Sequence, residues 1–151
     1  MVQVRREAIL AKARGPYQQE TVDAWAAEGA PDRAERYAQD IADPEHIVLV
    51  AEAGDEIIGF AMAVPAREEL SAVYVKPNSL GRVGRALLLQ LETHAFRTAE
   101  ALSCVAALSA VPFYESNGYS AEGAIDYVDS SGTGIPCVQM KKSRPTPKRL
   151  A

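Results

Sequence analysis

Two short stretches of the 151-residue chain have residue types and spacing suited to chemistry: Gly81-Arg82-Val83-Gly84-Arg85 and Phe113-Tyr114-Glu115. The first follows Val73-Tyr74-Val75-Lys76-Pro77 and runs on into Ala86-Leu87-Leu88, so an apolar strand stops at a proline, turns through glycines and becomes a helix. The first amides of a helix have no intrahelical acceptor and carry partial positive charge, and glycine lets the chain approach a ligand closely; such a turn can hold a phosphate. Arg82 and Arg85 add formal charge. The same glycines would also serve a plain strand-to-helix turn. The second stretch lies in Ala110 to Tyr119, just beyond another apolar strand. A phenol with an ordinary pKa of about 10 stays protonated at neutral pH yet is close enough to a thiol to share a proton, which suits Tyr114 to act as an acid. The alternative is a packing tyrosine on a short helix.

The elements that position these residues follow from periodicity. Residues 2–13 read as a helix ending before Gly15-Pro16, and Gln19–Glu28 as a second, with Val22, Trp25 and Ala26 on one face. A third follows Pro31-Asp32, with Asp32 as its cap, Ala34, Tyr37, Ala38 and Ile41 as its apolar stripe, and its end at Asp43-Pro44. Ile47–Ala51 is a continuous apolar run, as in a strand buried on both faces. Gly54-Asp55 turns it into Ile57–Val64, and Leu70–Val75 is a third strand. Gly81 to about Ala99 is the long helix, with Val83, Leu87, Leu88, Leu91 and Ala95 toward the sheet. Leu102–Leu108 is a strand, Val111–Ser116 a short helix, Tyr119–Val128 a strand, and the turn at 130–134 leads to Ile135–Met140. Strand–helix–strand crossovers beside hairpins give an α/β class with a mixed sheet.

Composition sets bounds. The length and 48% hydrophobic content suffice for one domain with its own core, expected over residues 1–142 with a basic, flexible tail at 143–151. No apolar run is long enough to span a membrane, and the first residues lack the apolar stretch of a signal peptide. Cys104 and Cys137 each lie inside an apolar strand and read as buried, reduced thiols of a cytoplasmic protein rather than a disulfide; a metal site has too few ligands. The last eleven residues carry five basic groups and no acid, which leaves residues 1–140 at a net −9. An acidic body argues against nucleic-acid binding and favours a cationic substrate.

Taken together, Tyr17 to Trp25, the Val73–Leu88 stretch, Val111-Pro112-Phe113-Tyr114-Glu115, Gly118-Tyr119 and Ile135 to Lys141 resemble the GNAT superfamily of N-acetyltransferases, over roughly Tyr17 to Lys142. The resemblance implies a mostly antiparallel mixed sheet with a central, splayed parallel strand pair and flanking helices. It also implies acetyl-CoA as acetyl donor, and a primary amine of a small molecule or peptide as acceptor. By resemblance, Val73, Tyr74 and Val75 would meet the pantetheine arm, Leu80, Gly81, Arg82, Val83, Gly84 and Arg85 the pyrophosphate, and Ser109 and Phe113 the rest of the donor. Tyr114 would be the acid and Glu69 the general base, with Glu68, Glu52, Asp126 or a water relay as competitors. His46 and His94 are poorer choices. Tyr17, Trp25 and Tyr37 would line the acceptor pocket or serve the core.

The chain departs from the family pattern in two places. The phosphate loop is one residue short, with no glycine between Arg82 and Val83, and Leu80 stands where a polar residue is common. The front of the sequence lacks the family's first strand, which would leave Ile47–Ala51 as an apolar edge. A partner subunit, as in a homodimer, or another segment of the chain is expected to cover it. These departures favour a second reading, a catalytically weak or inactive module binding acyl-CoA or a partner; the intact Phe113-Tyr114-Glu115 favours the enzyme.

Overall fold

Three helices precede the sheet: α1 (Val2–Lys12), α2 (Gln19–Ala27) and α3 (Ala30–Ala42). The computed structural model describes residues 1–27, 29–79, 81–128, 132 and 134–146; Leu80, residues 130, 131 and 133 of the expected turn, and residues 147–151 of the basic tail lie outside them. Helix α3 begins earlier than the expected cap at Asp32. Gly29 takes the left-handed conformation at its N-cap (φ 60°), Pro31 occupies the first turn, and Asp32 sits inside the helix. Its expected stripe is also corrected, because Tyr37 is buried while Ala34, Ala38 and Ile41 face solvent. The helix touches α1 and β1 along one narrow line, and a single aromatic ring fills that contact.

The remaining elements are β1 (Ile47–Ala53), β2 (Glu56–Val64), β3 (Glu69–Val75), α4 (Val83–Ala95), β4 (Ala101–Ala107), α5 (Val111–Ser116), β5 (Ser120–Val128) and β6 (Gly134–Ser143). The six strands form one sheet in the order β1-β2-β3-β4-β6-β5. All neighbours are antiparallel except β3 and β4, which run parallel and pair only at Glu69–Ser103. This is the mixed α/β fold with a central splayed parallel pair. Strand β1 is not buried on both faces as its apolar run suggested: it is an edge strand, half-buried, with Val50 44% exposed.

Each sheet face has its own core. Phe60, Met62, Ala72 and Tyr74 meet Val4 of α1 and Tyr37 of α3 on one side. Ala61, Ala63, Leu70, Leu102 and Cys104 meet Leu87, Leu88, Leu91 and Ala95 of α4 on the other. Fully burying one such leucine stabilises by about 1.5–3 kcal/mol, so α4 is held by its apolar stripe more than by propensity. The helix is shorter than the expected Gly81–Ala99. Arg82 is left-handed and precedes its first turn, and beyond Ala95 the chain continues to Ala99 in turns. At the far end, β6 runs through Ser143, and Arg144, expected in the tail, donates its N–H to the Glu100 carbonyl (2.7 Å) and its guanidinium to that of Phe96 (3.2 Å).

Candidate active site

The divergence of β3 from β4 builds the site. Lys76 donates its N–H to the Ile58 carbonyl (2.8 Å), and Tyr74 and Ala72 lie opposite Phe60 and Met62. Hydrogen-bonded pairs alternate along an antiparallel ladder, so these even-numbered residues bond to β2 and the backbone groups of Val73 and Val75 turn toward β4. There β4 has already moved away, since its pairing is confined to Glu69–Ser103. The result is a groove with unshared main-chain donors and acceptors on one wall.

Helices close that groove into a cavity of about 160 Å³. Val73, Tyr74, Val75, Gly84, Ser109, Phe113 and Tyr114 all line it, and Ile9 and Trp25 form the opposite side. Gly84 is there because α4 starts hard against the strand: a Cβ at that position would stand 3.4 Å from Val75 Cγ2 and 3.6 Å from the Phe113 ring. The groove leads to the start of α4, where the side chains of Arg82 and Arg85 are exposed and, among the described residues, no side chain caps the helix. The first-turn amides therefore remain available to an anion. Arg82 takes the left-handed conformation (φ 79°) that a glycine would normally supply. Leu80, expected in this loop, lies outside the described residues.

Tyr114 is carried by α5 and is 7% exposed. Pro112 starts this short helix and Gly118, at φ 87°, ends it, with the Tyr119 N–H returning to the Tyr114 carbonyl (3.1 Å). Its ring packs edge-on against Phe113 and Tyr119, with centroids 5.2 and 5.4 Å away. The hydroxyl bonds to the thiol of Cys104, a residue the sequence did not single out for the site. Burial first, and the neighbouring thiol second, push the Tyr114 phenol well above its usual range, and burial pushes the Cys104 thiol up to about 12. Both groups are neutral at physiological pH, so Tyr114 keeps its proton, more tightly than a free phenol, and Cys104 is a poor nucleophile.

A second cavity of about 480 Å³ opens across the splay, sharing Trp25 and Tyr74 with the first. Glu69 lines it, accepting a hydrogen bond from Ser71 Oγ (2.8 Å) with Arg67 Nε 3.7 Å away. Glu68 also faces it but is structurally committed. In a left-handed turn (φ 52°) its carboxylate accepts the Glu100 and Ala101 amides (3.2 and 3.1 Å), and its carbonyl accepts Ser103 N–H (2.8 Å). Glu52 and Asp126 are exposed and line neither cavity; His46 pairs with Asp43 (3.1 Å), and His94 is exposed on α4. Trp25 and Tyr37 line the second cavity, but Tyr17 lines neither. Its hydroxyl donates to the Pro136 carbonyl (2.5 Å) and accepts the Leu108 N–H (2.9 Å), which ties the loop after α1 to the ends of β4 and β6 and seats its ring edge-on against Trp25. Arg5, Arg33, Asp40, Tyr127 and Gln139 also line the cavity. Nothing in the sequence pattern marks them, because each is brought in by packing between distant segments.

Comparisons with known proteins agree with this geometry. The acetyltransferase (GNAT) domain model matches residues 13–144. A GCN5-related N-acetyltransferase from Rhodopseudomonas palustris superposes with a TM-score of 0.82 at 27% identity, over 94% of this chain and 86% of that one. The PaiA N-acetyltransferase from Thermoplasma acidophilum, solved with coenzyme A, gives 0.72 at 23% identity over 94% and 89% of the two chains. The aminoglycoside 6'-N-acetyltransferase from Enterococcus faecium gives 0.60 at 19% identity over 97% and 94%. No curated protein matches the chain.

Proposed function

Because the chain belongs to the GNAT acetyltransferase family, we propose that it carries an acetyl group from acetyl-CoA to a primary amine of a small molecule or peptide, by direct attack in a ternary complex. It is an N-acetyltransferase; the donor, the acceptor class and the residue roles are our reading. The observation that carries the reading is the meeting of two cavities where β3 and β4 part. One is lined by open strand backbone and the other by a carboxylate, with Tyr114 beside the first and its partner Cys104 beside the second. Such an arrangement brings two substrates together, and alignment supplies much of the rate in acyl transfer.

Acetyl-CoA supplies an acetyl group already activated as a thioester. The residues present suit it. Val73 and Val75 offer main-chain groups to an extended amide-bearing arm, and the first turn of α4 with Arg82 and Arg85 offers donors and charge to a pyrophosphate. The Val73 N–H polarises the carbonyl. Glu69, directly or through water, takes the proton that makes the amine neutral. As the N–C bond forms and the C–S bond breaks, Tyr114 gives its phenolic proton to the departing thiolate, the nitrogen releases its surplus proton to water, and Tyr114 recovers a proton from solvent. Buried free thiols at Cys104 and Cys137 are in keeping with a cytoplasmic setting. No described helix is long and apolar enough to cross a membrane.

Steady-state release of CoA thiol against a panel of amines tests the reading. Tyr114→Phe is expected to lower kcat by roughly a hundredfold, the scale of a positioned acid, while acetyl-CoA affinity stays within twofold. An unchanged kcat would remove Tyr114 from the acid role.

A further inference from the structure

From the buried charges against which α5 packs we propose that Glu92 and Lys142 form a positioning pair, which seats Tyr119 and, through it, the side chain of Tyr114. The inference rests on the acetyl-transfer reading for its catalytic consequence, and names the residues that hold the acid of that reading in place. Helix α5 has six residues. A helix that short is not stable by its own hydrogen bonds, so its orientation is set by its surroundings. Part of those surroundings is charged. Glu92, on α4, is 5% exposed and accepts a hydrogen bond from Lys142 Nζ of β6 at 2.6 Å. The Lys142 ammonium also lies over the Tyr119 ring (5.6 Å to its centroid), and a Cβ on Gly118 would stand 3.5 Å from Lys142 Cε. The pair is thus packed against the turn that ends α5. Tyr119 carries this placement on to Tyr114 twice, through the edge-on ring contact and through its N–H on the Tyr114 carbonyl.

Stability alone does not account for such a pair. The cost of taking a carboxylate and an ammonium out of water is offset only in part by their attraction, and apolar side chains of similar volume in their place are often as stable or more so. What apolar replacements lack is direction. A short ion pair with its cation over an aromatic ring fixes one arrangement of α4, β6 and Tyr119. Unbranched apolar side chains such as methionine adapt to several. The Tyr119 hydroxyl lies beside the same carboxylate: burial first, and Glu92 second, push its phenol upward, so it stays protonated there. Direction matters for Tyr114, because a reacting group misplaced by about 1 Å loses much of its effect. Glu92, Lys142 and Tyr119 line neither cavity, so the pair acts on the reaction through Tyr114 and not through a substrate.

The test uses the full-length protein with Glu92→Met and Lys142→Met combined, beside Lys142→Met alone. The single change leaves a buried carboxylate unpaired and should lower Tm; the double change should bring Tm back to the wild-type value or above it. Thiol release is followed with acetyl-CoA and whichever of spermidine, 2-phenylethylamine and L-lysine the wild type turns over fastest. In the double variant kcat should fall about ten- to a hundredfold while acetyl-CoA affinity stays within about twofold. In a Tyr114→Phe background the same double change should lower turnover no further. Carbon-13 labelling of the tyrosine rings gives a readout that needs no acceptor. The Tyr114 signal, identified by its loss in Tyr114→Phe, should be single and sharp in the wild type and split or broadened in the double variant. A wild-type kcat or an unaltered Tyr114 signal in the double variant would overturn the proposal. So would an equal fall in both backgrounds, or a double variant less stable than the wild type. The two readings fail separately: an undiminished kcat in Tyr114→Phe removes the acid role, whereas a slow Tyr114→Phe beside a fast double variant removes only the positioning pair. If the wild type turns over none of the three amines, the Tyr114 signal decides whether the pair seats that side chain.

Discussion

Arg82 sits at φ 79°, where an L-residue is disfavoured by about 1–2 kcal/mol, in the loop proposed to hold the pyrophosphate. With no glycine at this position, the turn into α4 is made by arginine, whose side chain then stands beside the helix N-terminus. Retaining a strained arginine is what a functional position would do. Arg82→Gly should therefore leave the urea midpoint unchanged or raise it, while weakening acetyl-CoA about three- to tenfold by removing a charge-assisted contact. Arg82→Val should lower the midpoint instead, since a β-branched residue suits this conformation least. A clear loss of stability in Arg82→Gly would contradict the strain. Residue-level legibility was uneven for a physical reason. Val73, Gly84, Phe113 and Tyr114 belong to contiguous stretches whose local geometry follows from spacing. Glu68 and Glu69 are adjacent carboxylates in the sequence, and only the left-handed turn at Glu68 commits one to backbone amides and leaves the other in the cavity.

At the scale of elements, the strands and α5 matched the sequence pattern to within a few residues, because period-two and period-three-to-four patterns report burial directly. Pattern misled where burial depends on what lies opposite. The Ala34, Ala38 and Ile41 side chains of α3 face solvent, and the apolar run in β1 is only half-buried, at the sheet edge expected for it. Among the described residues no strand pairs with the outer side of β1. A largely apolar edge strand, continuous from Ile47 to Ala51, invites another chain, and we expect a second copy to cover it. Sedimentation should then show a dimer for the wild type and a monomer for Val50→Lys, which places a charge on that edge. A wild type that sediments as a monomer at tens of micromolar would end this expectation.

For the whole molecule, buried phenols and thiols dominate the response to pH. Burial raises Tyr17 and Tyr37 to about 12 and moves Tyr114 and Tyr119 upward as well, while Cys104 reaches about 12. A raised pKa means that the folded state keeps its proton where the unfolded chain has lost it. The stabilisation is complete below the unfolded values, about 9 for the thiol and about 10 for the phenols, and is lost as pH climbs from there toward the folded values. Urea midpoints should hold steady up to about pH 9 and fall steadily to pH 12; a flat profile across that range would show that these side chains are solvated in the folded protein. The fold as a whole was legible because it rests on local periodicity and strand order. The second cavity was not, because α1, α2, α3 and five strands meet there from across the sequence. The groove along Val73 and Val75 stands between these cases, and the proposed function turns on it. Calorimetric titration with acetyl-CoA, with free CoA for comparison, probes it most directly. Micromolar binding of both is the result expected from open backbone at Val73 and Val75 and free amides at the start of α4. No binding at millimolar concentrations would mean that the turn into α4 cannot hold the pyrophosphate, and would contradict the proposed acetyl-CoA-dependent function.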